Sequence, residues 1–371
     1  THRERERERE MAAMKSNNLS EAYPMNCGDG LYSYAKNSSV QKSVSDNAKL
    51  LLNEAIAEKL DIKDLSVSKT FRIADLGCSA GPNTFFVVQN ILEGVELKYQ
   101  SQGLNSPTPE FQVFFNDHSS NDFNTLFRSL PIDKQYYVAG VPGSFYSRLF
   151  PRASLHFVHS SFALHWLSKV PKEVVDRSSP AWNKGRIHYS NAGEEVTKAY
   201  STQYAKDVDC FLHARAQEVV CGGLMVVIVP VRPNKVPHED ITNVMFDILG
   251  SCFMDMAKKG VVEEEKVDSF NIPIYYASTQ ELEAAIYRNG YFTIERMESL
   301  PHVIAQDNPS KAKLFALNIR AGMDGMIKEH FGHEIIDELF DSYCKKLEEA
   351  FSISYSGKSI NLFVLLKRKI D

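Results

Sequence analysis

Short apolar runs rich in Val, Ile and Phe recur along the chain at 71–76, 111–116, 137–141, 155–159, 224–229, 292–297 and 361–366. Each has the length of a buried strand. Stretches with helix-like spacing, 47–60 and 84–99 among them, lie between the early runs. Strand and helix therefore alternate through the first two thirds, which predicts an α/β fold with a parallel sheet covered on both faces. The spacing then changes, and long helical segments within 171–216, 238–285 and 300–350 interrupt the strands. They are too large for loops and are expected to form a cap above the carboxyl ends of the strands, where open α/β sheets bind ligands.

Residues 1–10 alternate Arg and Glu with nothing apolar to bury, and Met11 follows. Residues 1–22 read as a tag and a disordered N-terminus, leaving 23–371 as one folded unit with its cap. No apolar core follows Lys15, so no secretory signal is expected. Composition acts mainly by exclusion. The 371 residues, 43% hydrophobic and 24% charged, suffice for a large core. A formal net charge of -5 leaves no basic excess for a phosphate backbone, so nucleic acid is not an expected partner. Six cysteines without a CxxC pair fit neither a zinc ribbon nor a disulfide scaffold, and a cytoplasmic, reducing location is expected. No apolar run approaches the roughly 20 residues of a membrane span, so no membrane partner is expected.

The segment Phe71-Arg-Ile-Ala-Asp-Leu-Gly-Cys-Ser-Ala-Gly-Pro-Asn83 is a strand, a glycine turn and a helix start. Gly77 and Gly81 let the backbone turn and a ligand approach, and Pro82 suits a first helical turn. Free N–H groups there can bind a carboxylate. The spacing is neither GxGxxG nor a P-loop, so a nucleotide phosphate is the poorer ligand. A plain strand-to-helix connection explains the same glycines. Context decides: the next strand ends at Asp117, beside the same crevice, where an acid grips a ribose hydroxyl pair.

At this point the residues resemble a family. Asp75-Leu-Gly-Cys-Ser-Ala-Gly-Pro-Asn83, Asn116-Asp117, Gly140-Val-Pro-Gly-Ser-Phe-Tyr146 and His159-Ser-Ser-Phe-Ala-Leu-His-Trp166 are similar to the signature blocks of the plant SABATH methyltransferases. That family methylates salicylate, benzoate, jasmonate, indole-acetate, farnesoate, gibberellin and xanthine alkaloids. Further blocks at 215–219, 263–273 and 330–332 extend the likeness from Tyr23 to the C-terminus. The resemblance implies a Rossmann-like class I methyltransferase sheet with a mostly helical cap, S-adenosylmethionine as cofactor, a small carboxylic acid as substrate, and a homodimer.

Carried over residue by residue, the resemblance puts cofactor contacts on Tyr34, Ser38, Asp75, Gly77, Cys78, Asn83, Asp117, His118, Ser144, Phe145, Ser160 and Phe162. Phe145 would stack on adenine and Asp75 would meet the amino end of methionine, while His118 stands where the family usually has Leu. The acceptor pocket maps onto Asn26, Gln41, Phe162, Leu164, His165, Trp166, Val229, Met245, Phe246, Tyr275, Ile319, Gly322 and Ser359. Gln41, Trp166 and His165 are the implied catalytic set, the first two as carboxylate donors. Asn26 replaces the Lys of salicylate-type members and Phe162 the usual Tyr, which weakens the charge pair to the acid. Gly322 and Ser359 suggest a roomier pocket than a benzoate ring needs. Some members hold magnesium, and the matching residues are Asn183, Asp268, Phe270 through its carbonyl, and Asn271. These are oxygen donors suited to a hard cation, and equally a metal-free capping cluster.

Methyl transfer to a carboxylate needs no general base, because the acid is ionised at neutral pH. The protein must align the reacting atoms and exclude water. His165 is accordingly expected to orient the acceptor rather than take a proton, and His156 and His159 to be structural rather than metal ligands. The aromatic positions Phe111, Phe114 and Phe115 read as core and Glu263 to Glu265 as a solvated helix end. Two other readings remain open: an N-methyltransferase of xanthine type, and a cofactor-binding relative without turnover.

Overall fold

The computed structural model describes residues 23–62, 70–101, 109–232, 241–300, 311–352 and 360–370, and each of the seven apolar runs is a strand. These are β1 (Thr70–Leu76), β2 (Glu110–Asp117), β3 (Tyr137–Pro142), β4 (Leu155–Ser161), β5 (Val219–Val231), β6 (Phe292–Leu300) and β7 (Ile360–Arg368). They form one sheet in the order β3-β2-β1-β4-β5-β7-β6. The first five pair in parallel, as the alternation with helices requires, whereas β7 runs antiparallel between β5 and β6. Strand β5 begins five residues before its apolar run. Its early part includes Gly222 and Gly223 and pairs with β4 through a register shift, so no apolar period marks it.

The helices are α1 (Tyr34–Asn37), α2 (Ser39–Lys59), α3 (Asn83–Ser101), α4 (Phe123–Arg128), α5 (Glu194–Glu218), α6 (Ile241–Lys258), α7 (Glu264–Ser269), α8 (Thr279–Asn289), α9 (Lys311–Phe331) and α10 (Ile336–Ser352). Local chemistry sets their ends. Ser278 and Glu281 form a capping box at the start of α8, and Gly290 closes it in the left-handed conformation.

Burial divides into three clusters. On one face of the sheet, Ile56, Val88, Ile91 and Val95 of α2 and α3 pack on Ile73, Phe115 and Phe157. On the other, Val208, Phe211 and Leu212 of α5 and Leu282 and Ile286 of α8 pack on Leu76, Val158 and Met225. The third holds no strand residue: Leu249, Phe253, Val267, Ile327, Leu339 and Tyr343 unite α6, α7, α9 and α10 into a cap with its own core. Two helices from the expected insertions thus belong to the sheet. Both α5 and α8 are the crossovers that return the chain to β5 and β6, so their apolar stripes face strands. The expected long helix over 171–193 is absent apart from a 3-10 turn at Lys172–Val174, because Pro171, Pro180, Gly185 and Gly193 punctuate it. Among the described residues no helix is long and apolar enough to cross a membrane.

Candidate active site

The carboxyl ends of β1, β2 and β3 are stitched together around the glycine turn. Gly77 has φ +83°, and a Cβ there would stand 2.5 Å from the Ala163 Cβ, so only glycine lets this turn approach the one after β4. The N–H groups of Gly77 and Cys78 donate to the Asn116 carbonyl at 2.9 and 3.0 Å. The wholly buried Asn116 amide donates to the carbonyls of Val141 and Gly143 at 2.7 and 2.9 Å, fixing the end of β3. Half-buried Asp117 accepts the Ser79 N–H through Oδ2 and the His118 N–H through Oδ1, both at 2.7 Å. Burial pushes its carboxyl up to about 6 despite those two donors.

A cavity of about 730 Å³, open to solvent, lies above these ends. Gly77 and Asp117 both line it, together with His118, Ser144, Phe145, Tyr34 and Phe162. Burial lowers the His118 pKa, and its Nδ1 lies 2.7 Å from the Ser120 hydroxyl. Five other expected contacts stand behind the cavity and hold its backbone. The Asn83 amide donates to the Ser38 carbonyl and hydroxyl at 3.1 and 3.0 Å, and the Ser160 hydroxyl donates to the Leu76 carbonyl at 2.9 Å. Buried Asp75 pairs with His159 Nδ1 at 2.7 Å and accepts the Thr84 hydroxyl, while the Cys78 thiol is buried. Sequence reasoning missed Ser79, Tyr146 and Ser161, each one or two residues from a named contact.

A second cavity of about 890 Å³ adjoins the first and shares Met25, Tyr34, Phe162 and Trp166 with it. Gln41, His165, Met245, Phe246, Ile319 and Gly322 line it as expected. Leu164, Val229 and Tyr275 do not; they are buried in the sheet cluster, and the next residue in each case, His165, Pro230 and Tyr276, faces the cavity instead. Val229 and Pro230 lie in a strand, where a slip of one residue reverses the face, and Leu164 and His165 lie in a turn. Asn26 is not in the lining either: its amide donates to the Tyr32 carbonyl at 2.9 Å and its N–H to the Ala321 carbonyl at 2.8 Å, pinning the N-terminal segment to α9. Ser359 lies outside the described residues. Asn318, Phe315 and Asn361 were not anticipated.

Two details give the second cavity its chemistry. Gln41 and Asn318 form a reciprocal amide pair at 2.9 and 3.3 Å, and Asn318 also donates to the Asn37 carbonyl at 2.8 Å, so the Gln41 amide is held in one orientation. Buried His165 stacks on Tyr276 at 5.6 Å, its Nδ1 has no hydrogen-bond partner among the described residues, and burial depresses its pKa to about 3. Trp166 follows the turn at Phe162, which has φ +52°, and the Tyr146 hydroxyl donates to the Trp166 carbonyl. Among the described residues lining either cavity none is Lys or Arg.

His156 and His159 have partners within the sheet. His156 Nδ1 accepts the Arg72 N–H at 2.9 Å and its ring stacks on Phe71. Among the described residues no group of three His, Cys, Asp or Glu could hold a cation. Asn183, Asp268 and Asn271 do come together, with Phe270 adjacent in the chain. However, the Asn183 amide nitrogen donates to both the His188 carbonyl, at 3.0 Å, and Asn271 Oδ1, at 2.7 Å, and Asp268 Oδ1 accepts the Gly185 N–H at 2.7 Å. Asn271 Oδ1 and Asp268 Oδ1 thus already accept protein donors, while Asn183 Oδ1 is buried with no hydrogen-bond partner among the described residues and is an oxygen of the set left for a cation.

The family described as SAM dependent carboxyl methyltransferase matches residues 20–369. A loganic acid O-methyltransferase of Catharanthus roseus is 49% identical over 94% of this chain and 95% of its own. A paraxanthine methyltransferase of Arabidopsis thaliana is 40% identical, covering 92% of this chain and 97% of its own. The solved structure of a loganic acid methyltransferase with SAH superposes with a TM-score of 0.90 at 48% identity, over 94% of this chain and 99% of the other.

Proposed function

Because the chain belongs to the family of S-adenosylmethionine-dependent carboxyl methyltransferases, we propose that it binds the cofactor over Gly77 and Asp117 and esterifies a small, largely apolar acid in the adjoining cavity. The observation that carries this reading is the wall common to both cavities, where Phe162 and Trp166 face each of them. A donor on one side and an acceptor on the other meet there without water between them.

When bound, the cofactor supplies a sulfonium methyl group, whose carbon–sulfur bond breaks as a carbon–oxygen bond to the acid forms. The residues of the chain prepare that encounter. Asp117 has lone pairs left for the ribose hydroxyls, and Phe145 offers a ring to adenine. Gln41, fixed by Asn318, and the Trp166 indole N–H hold the acceptor carboxylate with neutral donors. Neutral donors suit the chemistry, since a cation and an anion combine into neutral products and an apolar wall favours that loss of charge. His165, with a pKa near 3, is neutral at physiological pH and too weak a base to be needed. Met25, Met245, Phe246, Ile319 and Gly322 surround the remainder of the acid and select an apolar body.

Incubation with labelled cofactor and a panel of plant carboxylic acids, loganic acid included, should give base-labile methyl esters. A second reading, N-methylation of a neutral ring, draws on the paraxanthine relative and on the Gln41–Asn318 pair, which presents both a donor and an acceptor. Base-stable methyl products on nitrogen would favour it over the ester. Dimerisation and a cytoplasmic location belong to the same proposal. Light scattering of the purified protein tests the first, and six free cysteines support the second.

A further inference from the structure

The loop after β3 supplies one wall of the first cavity through Gly143, Ser144, Phe145 and Tyr146. One ion pair on the last turn of α5 satisfies four of its backbone groups. Arg215 and Glu218 are both wholly buried and pair through Nε and Oε2 at 2.7 Å. Arg215 Nη1 donates to the Phe145 carbonyl and Nη2 to the Ser147 carbonyl, each at 2.9 Å. Glu218 Oε1 accepts the N–H groups of Leu149 and Phe150 at 2.5 and 3.0 Å. The guanidinium lies 5.3 Å over the Phe211 ring, and Phe211 meets the Phe145 ring edge-on at 6.0 Å. A separate tether leaves the same loop, where the Tyr146 hydroxyl donates to the Trp166 carbonyl.

Stability alone is a poor reason for such a pair, since apolar residues of similar size often replace a buried ion pair without loss. What apolar residues cannot do is meet two carbonyls and two amides at fixed places. A guanidinium fork beside a carboxylate fork does both at once. We propose that Arg215 and Glu218 are positioning residues of the methyl transfer: they hold Ser144 to Tyr146 in the conformation that receives the cofactor and, through Tyr146, tie that loop to Trp166 at the acceptor. The inference rests on the reading of the first cavity as the cofactor site.

Arg215→Lys keeps the charge but cannot serve both carbonyls. A loop in the receptive conformation only a tenth of the time raises the apparent Kd for S-adenosylhomocysteine about tenfold, with the KM for cofactor rising in parallel and kcat falling less. Calorimetry and steady-state kinetics measure this, with circular dichroism as the check on folding. Should Arg215→Lys not fold, the R215M/E218Q double variant carries the same test, because it leaves no unpaired buried charge while Gln still accepts from Leu149 and Phe150. Tyr146→Phe removes only the hydroxyl that reaches the Trp166 carbonyl, and it should raise the acceptor KM by a larger factor than it raises the Kd for S-adenosylhomocysteine. A folded Arg215 variant with a lowered melting temperature and wild-type affinity would mean a structural role only and overturns the proposal. So does an unchanged acceptor KM in Tyr146→Phe for the link to Trp166. Asp117→Asn separates the two levels: if it weakens binding and the Arg215 variants do not, only the positioning role falls, whereas if it too has no effect the cavity is misread.

Discussion

Replacing Asp117 by Asn removes the charge from the crevice while keeping the shape of the side chain. In the native turn each carboxylate oxygen already accepts one backbone N–H, from Ser79 and His118, and keeps a lone pair for a ribose hydroxyl. Asn retains one acceptor oxygen and turns an N–H donor toward the other amide, so both the turn and the ribose lose a charge-assisted bond. Loss of such a bond is worth about 1–3 kcal/mol, or roughly 5- to 150-fold in Kd. Titration calorimetry with S-adenosylhomocysteine at pH 8 reads this directly. The pH dependence provides a second arm. Burial raises the Asp117 carboxyl to about 6, so the ionised form that binds ribose is lost as pH falls through that value, and affinity should decline from pH 7.5 to 5. The Asn variant should lack that decline. A loss under twofold, or a wild-type profile flat across this range, would refute the assignment of Asp117 to the ribose.

At the acceptor, Trp166→Phe should raise the KM for the acid more than it lowers kcat, since the indole N–H holds ground state and transition state alike; steady-state kinetics showing the opposite split would assign it a transition-state role. A Cβ at Gly322 would stand 3.7 Å from Met25 Sδ and 3.9 Å from Trp166 Cζ2, so Ala is tolerated while Gly322→Leu fills the cavity. It should shift preference toward smaller acids, read from competing acceptors by mass spectrometry, with S-adenosylhomocysteine affinity unchanged. His165→Asn should retain kcat within about tenfold, because general-base catalysis usually contributes 10²–10⁴; a larger loss would give His165 the proton-transfer role denied to it above.

The sheet was legible because covered strands are rich in apolar residues: β5 and β7, inside the sheet, are buried along nearly unbroken apolar runs, while the edge strands β3 and β6 keep polar or exposed positions within theirs. The cap was legible only as excess helix. An amphipathic stripe shows that a helix is covered but not by what, so α5 and α8 could not be told from α6 and α9 before the three clusters were seen. At the site, the motifs located the crevice but not which side chains enter it. Asp75 and Asn83 belong to the same signature as Gly77, yet they brace the turn from behind. Tyr275 and Val229 pack in the sheet cluster while Tyr276 and Pro230 line the cavity, and a strand that is apolar on both faces gives no sign of which neighbour does which. Asn318 carried no signal, because a polar residue within a helix gains its meaning from Gln41, 277 positions away.

Four non-glycine residues among those described have positive φ, and two of them, Ser79 and Phe162, line the crevice. Such conformations cost on the order of 1–3 kcal/mol each. A population of variants selected for heat resistance would be drawn to these two positions, where relaxation is cheapest to reach. Its survivors would include chains that melt later and turn over less, so thermal screening of this enzyme must be paired with a turnover assay from the first round.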